Sequence, residues 1–584
     1  MESHSEERGA ESGKGQGAEP MTEPNQCDPP EEPPATTGDT PKGCCIMPTG
    51  ICQEARLLLA LAGPAFLSQL MIFMISIVSA IFCGHLGKVE LDAVSLAVAM
   101  INITGVAVGT GLAGACDTLI SQIYGGQNLK LVGTVLQRGI LILLLFCFPC
   151  WALFINTEPI LRLLRQDPEV SRLTEVYVLI FLPALPAAFL YQLQAKYLQN
   201  QGIIFPQVLT GITANLINVM INYILLYVLS LGVMGSALAN TLSQLVQALL
   251  LFLYILWKKL HRDTWGGWSL ACFEEWGTFI RLAIPSMFML CIEWWTFEIG
   301  IFLAGTFGVV ELGAQTVVYQ LANTVFMIPT GVGIAASVRV GQALGAGFIE
   351  QAKKSALVSL MITECFAVCC CILLISLKGI IAYIFTSDRD IVDLVRYVLP
   401  VYAATHLFDG CVATCGGILR GMGRQKIGAI FQFVGYYIIG LPVGVALMYA
   451  AKIGIIGFWI GMLLCGFLQV FAFLPFIYKI DWKKASEKAQ FRAHQRITVN
   501  KDLQDQLAIY HCAPSESATN AGSVAVTEYD ITDSDLIQPL ESQTPVRPMK
   551  HKPLSRRQLV RRRSLTLIGA IIVLMMGVLI RLLV

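Results

Sequence analysis

Apolar residues run in blocks of about 20, the length that crosses a hydrocarbon core of roughly 30 Å. Six blocks fall near 55–83, 92–123, 131–154, 171–194, 206–230 and 233–257. A polar stretch, 258–275, separates them from a second six near 276–304, 312–340, 354–377, 390–418, 427–450 and 453–478. A long polar segment follows and ends in Arg556-Arg557 and Arg561-Arg562-Arg563, before a last apolar run at 565–584. The pattern predicts thirteen membrane-spanning helices, with the last a span rather than a surface anchor.

The first twelve spans form a tandem repeat. Leu61-Ala62-Gly63-Pro64 matches Leu282-Ala283-Ile284-Pro285, and Gly84, Gly87 and Glu90-Leu91 match Gly305, Gly308 and Glu311-Leu312, all at an offset of 221 (282 − 61). The register continues through Asn102 and Asn323, Gln122 and Gln342, and Gly232 and Gly454. Each half holds an even number of spans, so both enter the membrane the same way up. The expected fold is an all-α polytopic membrane protein of two parallel six-helix repeats, an N-lobe and a C-lobe, related by a pseudo-two-fold axis along the membrane normal. Such bundles place a substrate cavity between the halves and work by rocking one against the other.

This division gives a disordered acidic tail (1–50), the N-lobe (51–262), an inter-lobe linker (263–275), the C-lobe (276–480), a flexible linker (481–563) and the thirteenth helix (564–584). Hydrophobic residues make up 55% of the 584 and charged ones only 14%, against about 25% in soluble domains. Residues 1–43 lack the apolar segment of a signal peptide. Basic residues, including Lys196, Lys258, Lys259, Arg262, Arg339, Lys353, Arg420 and Arg424, favour one set of loops. That bias puts both ends of the twelve-span core in the cytoplasm and the extreme C-terminus outside. Most cysteines lie inside apolar spans without metal-ligand spacing, and no nucleophile–base pair or nucleotide loop is present, so neither an enzyme nor a metal protein is expected.

Against this apolar background, Glu293 and Glu298 stand near the middle of the seventh span. A carboxylate there costs about 2.5–3.5 kcal/mol on the insertion scale. Arg281 is the only base in the same span, more than two turns away. The acids are suited to a ligand that comes and goes, a proton or a cation. Trp294 offers an aromatic face to an organic cation. The repeat sets Glu293 opposite Ile72 and Glu298 opposite Ile77, so the fold itself does not require the acids.

The chain resembles the multidrug and toxin extrusion (MATE) family, most closely its vertebrate members. The resemblance rests on Phe82-Cys83-Gly84-His85-Leu86-Gly87, Ala115-Cys116-Asp117-Thr118-Leu119, Cys291-Ile292-Glu293-Trp294-Trp295, Ala335-Ala336-Ser337-Val338-Arg339-Val340-Gly341 and Leu419-Arg420-Gly421-Met422-Gly423, within about residues 50–480. It implies a plasma-membrane antiporter, apical in polarised epithelium, that exports small organic cations against protons. No cofactor other than the coupling proton, no nucleic acid partner and a monomeric working unit in the lipid bilayer are expected.

The family's coupling acids carry over to Glu293, Glu298 and Asp409. A helix-eight acid of some members falls on Gln320, so a charged role there is in doubt. His406, three residues from Asp409, shares its helix face and suits a proton relay. Tyr319, Gln320, Asn102 and Asn323 are further cavity candidates, and Pro329 with Gly331 and Gly333 is expected to bend or break helix eight. Cys83 and Cys147 match positions that make relatives thiol-sensitive. Sodium coupling, export of a lipid-linked substrate and a non-transporting cation sensor are the alternatives.

Overall fold

The computed structural model describes residues 49–84, 88–386, 388–493 and 556–583. The N-terminal tail to residue 48, residues 85–87 of the first motif and linker residues 494–555 lie outside them. The described chain is helical, with no strand. Twelve helices are long and apolar enough to cross a membrane, and a bent pair makes a thirteenth. They are helix 1 (Thr49–Gly84), 2 (Asp92–Gly125), 3 (Leu129–Ile155), 4 (Pro168–Phe181 with Ala184–Gln199), 5 (Phe205–Val228) and 6 (Gly232–Trp257). The second set is helix 7 (Trp276–Gly305), 8 (Val309–Ala346), 9 (Ile349–Leu377), 10 (Arg389–Met422), 11 (Gln425–Tyr449) and 12 (Ile455–Lys479); helix 13 is Arg556–Leu583.

The end of the bundle where helix 1 starts and helix 6 finishes is called here the basic end. In hydrocarbon every backbone group must be satisfied within the protein, and the irregular turns meet this demand. Helix 4 bends by 58° at Leu182-Pro183. The carbonyls freed there accept hydrogen bonds from Trp151 Nε1 (to Leu182, 3.0 Å) and Thr241 Oγ1 (to Ile180, 3.2 Å). Helix 8 is not broken at Pro329; it runs on to Ala346. Its glycines serve close packing instead. A Cβ on Gly331 would stand 2.9 Å from the Ala62 carbonyl of helix 1, and one on Gly417 of helix 10 would stand 2.1 Å from the Gly333 carbonyl.

The repeat is visible in the packing. Helix 1 lies against helix 8 of the other half, and helix 7 correspondingly against helix 2. The half of helix 2 nearer the basic end packs on helices 7, 8 and 10, whereas Lys88–Ile101 packs on helices of its own lobe. Glycines set the distance at this joint: added Cβ atoms on Gly125 and Gly345 would fall 2.1 and 2.0 Å from the carbonyls of Gln342 and Gln122.

Two readings of the linker change. The segment after helix 12 is not flexible from residue 481, because Trp482–Arg492 forms an amphipathic helix. Asp481 caps it by accepting from Lys484 N at 3.0 Å, and Trp482, Ala485 and Ala489 form its buried stripe. This cross helix ties the lobes together. Ser486 Oγ donates to the Leu344 carbonyl (3.1 Å), Arg492 Nη1 to Gln122 Oε1 (3.0 Å), and Asn128 Nδ2 to the Ala493 carbonyl (3.2 Å). Burial and the neighbouring Arg424 pull the Arg492 guanidinium down to about 10, which leaves it charged at neutral pH.

Helix 13 begins at Arg556 rather than 564 and follows helix 3 across the bundle. At the basic end Arg563 Nη2 donates to the Phe273 carbonyl (2.6 Å) and the guanidinium stacks 4.1 Å over Trp276. At the other end Arg581 Nη2 pairs with Glu175 (2.7 Å) and Glu158 (3.2 Å). Contacts at both levels are those of a span.

Beside the glycine joint, Glu54 of helix 1 is 5% exposed. Its carboxylate accepts a two-pronged contact from Arg339 of helix 8 (Nε 3.0 Å, Nη2 2.8 Å) and a bond from Ser355 Oγ (2.6 Å). Glu54→Ala would leave the half-buried Arg339 without this carboxylate, a loss of up to about 3 kcal/mol. It should lower the thermal unfolding midpoint of the detergent-solubilised protein well below that of Glu54→Gln, which keeps an acceptor for both partners.

Candidate functional site

The conspicuous acids of the seventh span occupy two different places. Residues five apart on a helix differ by about 140° in direction. Glu293 faces helices 10 and 11 and accepts a weak bond from Gln432 Nε2 at 3.4 Å. Asp409 of helix 10 lies within the field of Glu293. Its Oδ1 stands 3.3 Å from where a Cβ on Gly466 of helix 12 would sit, so the absent side chain leaves room for the carboxylate. The buried Tyr436 of helix 11 and Cys465 of helix 12 lie in the field of both acids. Both carboxylates are half-buried. The pair therefore forms one anionic site among helices 7, 10, 11 and 12, wholly within the C-lobe.

Glu298 belongs to a second place, between helices 7 and 8. Tyr319 Oη donates to Glu298 Oε1 at 3.3 Å, and Asn323 lies beside the same hydroxyl one turn on. Gln320 is half-buried next to Tyr319 and makes no side-chain hydrogen bond to either acid. Trp294 is half-buried without a polar partner among the described residues. Its neighbour Trp295 carries the bridge: Nε1 donates to the Ile103 carbonyl at 3.2 Å. That carbonyl lies in a wide helical turn, Asn102–Val106, beginning at Asn102. It is the hydrogen bond between the lobes farthest from the basic end among the described residues.

Three sequence expectations change. His406 is not joined to Asp409. Three residues along a helix leave about 60° between side chains, and here that angle separates two environments. Asp409 turns to Gly466, whereas His406, 1% exposed, packs in an apolar recess with Ile328, Pro329, Phe366 and Ala367 of helices 8 and 9. A direct relay between them is absent from this arrangement. Cys83 and Cys147, at 0% and 1% exposure, are covered by protein, so neither thiol is open to a reagent in this conformation. Lys196, read as a loop base, is buried.

Lys196 serves a third group of charges that the sequence reading passed over. Asp117 of helix 2 is 3% exposed. Its Oδ2 meets Lys196 Nζ at 3.0 Å, and its Oδ1 accepts from Asn200 Nδ2 at 3.2 Å. From the C-lobe, Arg420 Nε approaches Oδ2 to 3.6 Å. Around them Thr118 Oγ1 donates to the Arg420 carbonyl (2.5 Å), Gln122 Nε2 to the Gly421 carbonyl (2.8 Å) and Gln342 Nε2 to the Asn200 carbonyl (2.9 Å). This polar seam closes the basic end between the lobes. The available signal was Asp117, a charged residue inside the predicted second span. Glu364 of helix 9 was also overlooked; it is hydrogen-bonded to Cys411, with Oε1 buried and unpartnered.

Comparison with known proteins supplies the family. The MatE family profile matches residues 64–224 and 285–446, one segment in each half. The chain belongs to the MATE family. It is 62% identical over 567 residues to multidrug and toxin extrusion protein 1 of Xenopus tropicalis, covering 97% of this chain and 98% of that protein. It is 54% identical to the protein of the same name from Homo sapiens, with 94% and 98% covered. The crystal structure of the eukaryotic MATE transporter AtDTX14 superposes with a TM-score of 0.73 at 29% identity, over 76% of this chain and all of that one. The protein is thus a multi-pass membrane transporter of the MATE class, and the glycine-lined joint divides its two halves.

The burial of Cys83 and Cys147 gives a direct check on this conformation. Peptide mapping after brief exposure of the native protein to a charged maleimide should find both unmodified. The same reagent should modify both after denaturation.

Proposed function

We propose that this MATE transporter exports small organic cations from the cell in exchange for protons by alternating access. The observation that carries this reading is the pairing of Glu293 with Asp409 in a half-buried site where, among the described residues, Gln432 gives the one side-chain hydrogen bond to Glu293. Like charges held close in a poorly solvated place do not readily ionise together. The site therefore holds a proton when empty of drug and exchanges it for an organic cation. A site that takes either ligand but not both is the minimum device for antiport.

In this reading the basic end faces the cytoplasm, in keeping with its lysines and arginines. The arrangement sealed at that end is then the one that receives protons from outside. A proton entering from the outer side displaces the cation from Glu293. The lobes rock, the proton leaves to the cytoplasm, and a new cation binds. Glu298 with Tyr319 and Asn323 forms a polar and aromatic wall suited to the cation's body, and Trp295 joins the lobes beside it. The working unit is a monomer in the plasma membrane, apical in a polarised epithelium.

Radiolabelled tetraethylammonium uptake into proteoliposomes tests the reading. An imposed outward proton gradient should accelerate uptake by the purified protein, while a sodium gradient at constant pH should not. Glu293→Gln should reduce the pH-driven component at least tenfold, and Asp409→Asn should also reduce it. Retention of full pH-driven uptake by Glu293→Gln would refute the assignment.

A further inference from the structure

Arg420 lies between two carboxylates of different lobes. Its Nε approaches Asp117 at 3.6 Å and makes no hydrogen bond. Its Nη1 turns back along helix 10 against Gly416, 3.7 Å from where a Cβ would be, in company with the Met289 methyl. Met289 is one turn before Glu293 on helix 7, so Arg420 Nη1 reaches the neighbourhood of helix 7 one turn from that acid, and its positive charge acts on it. Asp117 is meanwhile held within its own lobe by Lys196 and Asn200. The arginine is therefore a shared charge: Asp117 keeps a partner without it, and among the described residues it is the cation that acts on Glu293.

We propose that Arg420 is a positioning residue that transmits the charge state of Glu293 to the basic-end seam. This rests on Glu293 being the exchange site. With Glu293 ionised, Asp117 and Glu293 offset Lys196 and Arg420, Arg492 on Gln122 contributes one further positive charge, and the seam stays shut. A proton on Glu293 removes one negative charge and leaves the group one unit more positive. A bound organic cation has the same effect by occupying the acid's charge. An unbalanced charge in a poorly solvated place favours water, so the seam loosens. Loaded transporter then reorients and empty, ionised transporter does not, which is the rule antiport requires.

Arg492 of the cross helix, bonded to Gln122 with Arg424 beside it, adds positive charge at the seam in both states and does not alter the one-unit change on protonating Glu293. Asp409 is three turns up helix 10 from Arg420, about 16 Å along the axis, and acts on Glu293 rather than on the seam. Tyr436, Cys465 and Gln432 face Glu293 from helices 11 and 12, and Cys116 adjoins Asp117; all are uncharged partners.

Hydrogen–deuterium exchange of the full-length protein in nanodiscs, read at peptides covering 115–125 and 416–425 and corrected for intrinsic rates, measures seam opening without transport. For the parent protein the seam should exchange on the order of fivefold faster when Glu293 is neutral, at acid pH, than when it is ionised. Glu293→Gln should show the fast rate at both pH values. Arg420→Lys should keep the direction of the response. Arg420→Gln removes the charge shared between the seam and Glu293, so the pH response should be lost. Asp117→Asn leaves an excess positive charge in either state and should exchange fast throughout; it carries the test if Arg420→Gln does not fold. A parent-like pH response in Arg420→Gln, or parent-like protection in Asp117→Asn, would overturn the proposal while leaving the exchange site at Glu293 intact. A parent-like response together with proton-driven uptake in Glu293→Gln would instead remove the exchange site itself.

Discussion

The close approach of helix 2 to helices 8 and 10 at the basic end governs the arrangement of the molecule. Backbones come so near there that side chains on Gly125, Gly341 and Gly345 would overlap Gln342, Ser121 and Gln122. That proximity excludes solvent, and excluding solvent forces every buried charge to find a partner. Asp117 with Lys196, and Glu54 with Arg339, are consequences of this constraint. Farther from this end the Trp295 bond to Ile103 joins the lobes, and the acids of helix 7 are left half-buried.

The two lobes use one helical plan for unequal purposes. Helices 1 and 7 begin with equivalent glutamates, Glu54 and Glu275, each reaching an arginine of the opposite lobe: Arg339 at 2.8 Å and Arg138 at 3.7 Å. Farther along, symmetry ends. Helix 7 carries Glu293 and Glu298 where helix 1 carries Ile72 and Ile77. The symmetric acids hold the lobes together, while the asymmetric ones lie in the C-lobe and have weak partners.

Much of this was legible along the chain, because membrane spans and a tandem repeat are patterns of local composition and fixed spacing. The thirteen helices and their pairing into halves follow from such patterns. Glu293 was conspicuous because charge in an apolar run is expensive wherever the run folds. The seam was not conspicuous. Its members come from helices 2, 4, 8 and 10, and only packing shows that Lys196 leaves the loop water to meet Asp117. The His406–Asp409 relay failed for a related reason: spacing on one helix fixes an angle between side chains but not what fills the space each one enters. The cross helix was hidden by its polar composition, since its buried stripe consists of one tryptophan and small alanines rather than large apolar residues.

The path of the chain after helix 12 bears on how the transporter moves. Helix 12 belongs to the C-lobe, yet the cross helix delivers residue 493 to Asn128 of the N-lobe, and helix 13 lies along helix 3 of that same lobe. The tail therefore leaves one moving body and completes its course on the other. In the proposed cycle the cross helix is the short tether between the lobes, and the bonds at Arg492 and Ala493 must part before the basic end can swing wide.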